Sequence, residues 1–302
     1  MNKKGSPRGF TNPTALPDDS KGAEQWQKEN EEWWQGHPMR YDWNSELGHE
    51  EFSPSFFEEI DRRFFSDASE YLQSRSLPFD DLIHFKALAD KDVLEIGVGN
   101  GSHAALLARH SRSFTGIDLT DYASRSTRER FEVFGLSGLI QRADAEHLPF
   151  PDASFDVVWS WGVIHHSANT RKIVGEIYRV LRPGGRAVIM VYHRGWWNYY
   201  IFGFLEALIS RDFRPGFLHR GVQRKTDGAI ARYYSFREWR EMAYDFKVES
   251  LFSLGPKSDV VLLPAGSIKE TIKKLFPVRL NIFLTRYLRM GSFLISSLRK
   301  KT

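Results

Sequence analysis

From about residue 91 the chain repeats one pattern: a short apolar run, a polar or Gly-rich break, then an amphipathic stretch. The apolar runs are VLEIGV (93–98), FTGIDL (114–119), LIQRAD (139–144), FDVVWSW (155–161) and RAVIMVY (186–192). Their near-continuous hydrophobicity predicts strands covered on both faces, hence a mostly parallel sheet of the doubly wound α/β class. The stretches between them predict helices such as Ser102–His110 and Arg171–Leu181, where Ile173, Ile177 and Val180 share a face. A ligand is expected at the carboxyl ends of these strands.

Outside this block the texture changes. Residues 1–25 carry Gly, Pro, Ser, Asn and Asp and too little apolar surface to offset ordering entropy, so a disordered tail is expected. Residues 26–85 read as an aromatic and helical extension, in which Ser53-Pro54 marks a helix start and Phe56, Ile60 and Phe64 recur along one face. The catalytic unit is expected over 86–266, with an aromatic insertion at 193–232 and a helix around Ser235–Tyr244. Strands near Lys247–Leu254 and Asp259–Leu263 would finish the sheet, and residues 267–302 read as a basic amphipathic helical tail.

Composition narrows the chemistry. The 302 residues can bury a full core, and the absence of cysteine removes disulfides, thiolate nucleophiles and Cys-ligated metals. A net charge of +4, gathered toward the C-terminus, is too mild for a nucleic-acid footprint. His103, His110, His193 and His219 have no ligand spacing, so no metal is expected. No apolar signal region and no long apolar run appear, which predicts a cytoplasmic protein.

The sharpest local signal is VLEIGVGNG, a strand running into Gly97, Gly99 and Gly101 before a helix. Alternate glycines let the chain turn and let a ligand approach the backbone. The dinucleotide fingerprint would want glycine where Ser102 stands, and the phosphate loop's Gly-Lys-Ser/Thr ending is missing. Carboxylates follow at successive strand ends: Glu95, Asp118 and Asp144. Asp118 is placed to accept from ribose hydroxyls. Glu95 beside the loop would repel a pyrophosphate and attract a cationic ligand.

Taken in order, Glu95-x-Gly97-x-Gly99-x-Gly101, Asp118, Ala143-Asp144-Ala145 with His147-Leu148-Pro149-Phe150, FDVVWSWGVIHH and VLRPGG resemble the successive motifs of class I S-adenosylmethionine-dependent methyltransferases. The subgroup is similar to small-molecule enzymes of the ubiquinone/menaquinone C-methyltransferase kind. That resemblance implies S-adenosyl-L-methionine as cofactor and a seven-stranded sheet with an antiparallel last strand. It assigns Glu95 and the glycines to the methionine part, Asp118 to the ribose, Asp144 and Ala145 to the adenine, and Leu119 and Trp161 to the cofactor set. The acceptor is expected to be a small molecule methylated on O, N or C. Without an Asn/Asp-Pro-Pro-Tyr/Phe signature after the fourth strand, DNA-base methylation is disfavoured.

His165 and His166 directly follow the fourth strand, where a neutral imidazole could take a proton from the acceptor. His166 is favoured, while capping the next helix is the structural alternative. Tyr41, Trp43, Trp196 and Tyr200 are candidate substrate contacts, and packing would explain the same aromatics. Two other readings fit the fold: a catalytically silent cofactor-binding or scaffold protein, and an aminopropyl transferase. The basic tail fits helices at a membrane interface, giving a peripheral contact, or a helix pair packed on the domain.

Overall fold

The computed structural model describes residues 12–42, 45–74, 76–224, 226–263 and 266–302. Five parallel strands are formed by β1 (Asp92–Ile96), β2 (Ser113–Asp118), β3 (Leu139–Arg142), β4 (Phe155–Trp161) and β5 (Leu181–His193). A two-residue strand, β6 (Tyr233–Tyr234), pairs parallel with the end of β5. The sheet is completed by β7 (Phe246–Leu254) and β8 (Phe293–Lys300) in the order β3-β2-β1-β4-β5-β8-β7, with β8 antiparallel to both neighbours. The expected mostly parallel, doubly wound sheet is therefore present, with β6 added at its rim.

Side chains alternate between two cores, as the pleat requires. Val93, Trp159, Val188 and Ile295 face one layer, and Leu94, Val158, Ile189 and Leu294 the other. The first layer holds α2 (Pro54–Ser69), the single turn α3 (Asp80–Ile83) and α4 (Ser102–His110), with Phe131 of α5 (Asp121–Val133). The second holds α6 (Thr170–Val180) and α9 (Phe236–Met242). Caps set the boundaries: Ser53 accepts from the Phe56 amide, Asn169 from Lys172, and Ser235 forms a capping box with Glu238.

The ends of the chain depart from the expectation. Of the supposed tail 1–25, residues 12–25 are ordered: α1 (Ser20–Gly36) starts on an Asp19 cap, and the Pro13 carbonyl accepts from the Tyr233 amide. Tertiary contacts that a composition argument does not see hold this stretch. The expected strand at 259–263 is a 3-10 turn and a loop. The sheet closes instead with β8, inside the stretch read as helical tail, so only α10 (Ser267–Leu275) and α11 (Val278–Arg286) are helical there. The catalytic unit therefore does not end at 266. After β5 the insertion forms a π-helical turn (Trp196–Ile201), then α7 (Phe202–Ser210) and α8 (Phe217–Gln223).

Candidate cofactor and acceptor site

The carboxyl ends of β1, β2 and β4 open into a cavity of about 530 Å³, within the range of small-molecule sites. Its floor is the turn after β1. The Gly97 amide donates to the Ile117 carbonyl at 2.8 Å, and its φ of 82° suits only glycine; a Cβ there would stand 2.2 Å from a Val163 methyl. Gly99 has a φ of 55° and nothing within 4 Å of the position a Cβ would take, so its missing side chain leaves space in the crevice. Gly101 precedes α4 with a φ of 80°.

Asp118 ties this turn to the second strand. One carboxylate oxygen accepts from the Gly99 amide at 3.1 Å, and the other from the amide and hydroxyl of Thr120 at 3.0 and 2.9 Å. Burial pushes its carboxyl upward, against these hydrogen bonds. Glu95 is only 2% exposed, and its Oε2 has no hydrogen-bond partner among the described residues. Burial, with the neighbouring Asp118 charge, raises its carboxyl well above the usual range. The neighbouring His103 ring cannot relieve it, since burial depresses that imidazole to about 3 and keeps it neutral. A buried acid oxygen with no hydrogen-bond donor, near an Arg130 guanidinium already committed to Asp61 and beside a cradle that a Cβ would fill, suits a ligand bearing positive charge. Leu119, Asp144, Ala145 and Trp161 line the same cavity, so it is shared by all of the expected cofactor positions except Gly101, which supports the turn from behind.

The N-terminal extension covers this end, which sequence reasoning missed. On α1, the Gln27 side chain donates to Asp144 Oδ1 at 2.9 Å and accepts from the Ala168 amide at 3.1 Å. Trp34 meets the His166 ring edge-on at 4.9 Å, and Asn30 also lines the cavity. The clustered tryptophans signal that the segment packs on something; Gln27 and Asn30 carry no such signal.

The two histidines part company. His166 lines the cavity, while His165 is 0% exposed beneath Tyr192, at 3.9 Å between ring centroids, and neither of its ring nitrogens has a described partner. Burial and the adjacent His166 drive the His165 imidazole well below its ordinary value. His166 Nδ1 lies 2.6 Å from the Ile230 carbonyl oxygen, which can only accept, so the neutral ring carries its proton on Nδ1. Nε2 is then the basic nitrogen. The loop after α8 enforces this, because the Arg232 amide donates to the His165 carbonyl and the Arg232 guanidinium to Ser167.

Beyond His166 the cavity continues between Tyr41, Phe64, Tyr71, Met190, Tyr192 and Phe293, with Asp227 and Lys273 at its wall. Of the expected substrate contacts, Tyr41 belongs here. Trp43 lies outside the described residues. Trp196 and Tyr200 do not line the cavity; Trp196 is 49% exposed and its indole donates to the Leu288 carbonyl. No group of three or more His, Cys, Asp or Glu able to hold a metal occurs among the described residues.

Residues 94–189 match the methyltransferase domain family. The phthiotriol/phenolphthiotriol dimycocerosates methyltransferase of Mycobacterium tuberculosis is 42% identical over 100 residues, covering 32% of this chain and 36% of that protein. The 27-O-demethylrifamycin SV methyltransferase of Amycolatopsis mediterranei is 36% identical over 100 residues, covering 32% and 37%. The chain thus spans little more than a third of the length of these relatives. An S-adenosylmethionine-dependent methyltransferase of Mesorhizobium loti superposes with a TM-score of 0.51 at 17% identity, over 73% of this chain and 97% of that one. The 4+2 cyclase SpnF superposes with a TM-score of 0.51 at 15% identity, over 96% and 99%. The fold is the Rossmann-like methyltransferase fold. Within it, residues 94–189 carry the match to the methyltransferase domain.

Proposed function

We propose that the whole protein transfers a methyl group from S-adenosylmethionine to a hydroxyl of a lipophilic small molecule. The observation that carries this reading is the two-ended cavity: the buried acids Glu95 and Asp118 at one end, aromatic side chains rimmed by Asp67, Glu70, Asp227 and Lys273 at the other, His166 between them. Glu95 would face the ammonium group of the cofactor, Asp118 the ribose hydroxyls, and Asp144 with Ala145 the adenine. Leu119 and Trp161 would pack on its apolar parts, with Gly97 and Gly99 leaving room for the methionine chain. When bound, the cofactor supplies an electrophilic methyl carbon on a sulfonium. An in-line transfer gains most from alignment, so the walls that hold the acceptor supply much of the catalysis.

His166 Nε2 would take the hydroxyl proton as the oxygen bonds to the methyl carbon and the carbon–sulfur bond breaks. The Ile230 carbonyl, accepting from Nδ1–H, supports the imidazolium that forms. The relatives named for dimycocerosates and for a rifamycin act on lipophilic molecules, in keeping with the Tyr41, Tyr71, Tyr192 and Phe293 walls. The narrower resemblance to ubiquinone/menaquinone C-methyltransferases would put an acidic carbon in place of the hydroxyl, and His166 serves either acceptor. Incubation with methyl-labelled S-adenosylmethionine and an organic extract of the source cells tests the proposal. Label should enter the organic phase as a base-stable ether. Retention of all label in the aqueous phase, with cofactor bound, would point to a silent binding protein.

A further inference from the structure

The amphipathic helix α10 is turned inside out. None of its residues is buried, and its apolar stripe, Ile268, Ile272 and Leu275 at helical spacing, is exposed, with Ile268 at 72% and Leu275 at 78%. Of its charged residues, Lys273 turns inward instead. Lys273 reaches Glu70 of the loop after α2, and the Lys273 carbonyl accepts from the buried Lys257. Leu280, Phe283, Tyr287 and Leu288 continue the exposed apolar surface along and beyond α11. At Leu288 it meets Trp196, whose indole donates to the Leu288 carbonyl, and from there it runs into Phe204, Leu208 and Ile209 of α7. A soluble helix normally faces its apolar stripe to the core.

The charge on this surface says what would cover it. Between 267 and 289 the sequence holds six basic residues and one acid, Glu270; Lys273 turns in to Glu70 and Arg286 and Arg289 lie over the Phe252 and Phe236 rings, which leaves Lys269, Lys274 and Arg279 beside the apolar stripe. A twofold contact with a second copy would set this basic surface against itself. Anionic headgroups would neutralise it while the apolar side chains enter the acyl boundary. Position adds to this, because Lys273 of α10, with Pro256 and Ser258, lines the acceptor end of the cavity.

We propose that α10, α11 and the Trp196–Ile209 segment seat on an anionic lipid bilayer, so that the acceptor end of the cavity loads from the membrane. The loading step rests on the methyltransferase reading above; the docking does not. Arg299 and Lys300 take no part despite their place in the basic tail, since β8 directs them to Glu249 and to the Tyr178 ring.

The test is flotation of the full chain with vesicles of phosphatidylcholine alone or mixed with phosphatidylglycerol, beside calorimetry with S-adenosylhomocysteine. The protein should float with the anionic vesicles, at least tenfold tighter than with the neutral ones and less at high salt. The double variant Ile268→Asp, Leu275→Asp changes exposed positions and should lose at least tenfold in vesicle affinity with unaltered binding of S-adenosylhomocysteine. Three outcomes would overturn docking: no flotation of folded protein, a double variant that floats as well as the parent, or a parent dimer that the variant converts to monomer. Calorimetry without heat would sink the methyltransferase reading and leave the vesicle result standing.

Discussion

The Gly99 amide donates to the Asp118 carboxylate at 3.1 Å, joining the turn after β1 to the end of β2 across the cavity floor. The bond fixes both the backbone that a ligand must approach and the acid that would hold its ribose. Cradle and carboxylate are therefore one mechanical unit, and a change to either disturbs the other.

Gly99→Val should damage this unit twice. A β-branched residue at a φ of 55° is strained, and its side chain enters the space left by glycine. Thermal unfolding should show a loss of about 1–2 kcal/mol. Titration with S-adenosylhomocysteine should show at least a tenfold loss of affinity, about 1.4 kcal/mol. Binding at the parental level would mean that the cofactor does not lie over this turn.

Glu95→Gln should stabilise the cofactor-free protein and weaken cofactor binding. The Glu95 carboxyl is raised in the folded state, so its contribution is complete below its unfolded value and is lost as pH rises through its folded value. Removing the charge should raise the melting temperature at pH 8 and make little difference near pH 4. Affinity for S-adenosylmethionine should fall at least tenfold, because an amide offers the ammonium no counter-charge. A variant that melts lower at pH 8 would show that the buried carboxylate has a compensating partner.

The histidines should separate kinetically. His166→Ala should lower kcat about a hundredfold with little change in cofactor affinity. His165→Ala should cost about 2–4 kcal/mol of stability through the cavity it leaves under Tyr192. His165→Leu should be within about 1 kcal/mol of the parent, since it removes two buried nitrogens that have no described partner. Steady-state kinetics beside urea unfolding of the three variants gives the comparison. A His165→Leu enzyme that is folded but dead would move the catalytic assignment to His165.

Gln27 clasps α1 to the cofactor end through Asp144 and the Ala168 amide. Gln27→Ala should speed S-adenosylhomocysteine release by up to about thirtyfold in a stopped-flow displacement, as expected for the loss of two hydrogen bonds worth about 1 kcal/mol each. An unchanged release rate would mean that α1 does not cover the bound cofactor.

The central sheet was legible because burial on both faces leaves an apolar signature. FDVVWSW is β4 residue for residue, and Ser102–His110 is α4 as read. The strand FLISSLRK was not legible, because Ser296 and Ser297 interrupt its apolar run and Arg299 and Lys300 match the basic texture before it. Tertiary bonds make the serines tolerable in the core: Ser296 Oγ accepts from the Trp239 indole, and Ser297 Oγ from Arg186. At the site, the Gly-rich turn and the acids that share its cavity could be read because they follow from strand ends and glycine geometry. The aromatic end of the cavity could not, since Tyr71, Tyr192 and Asp227 converge from three distant segments.

Calorimetric titration of the purified chain with S-adenosylmethionine, beside Asp118→Ala, decides whether the cradle after β1 is a cofactor site. The parent should show one saturable site per chain, and the variant an affinity at least tenfold lower with its fold intact by circular dichroism. Folded parent protein that gives no heat with either S-adenosylmethionine or S-adenosylhomocysteine would contradict that role for the cradle.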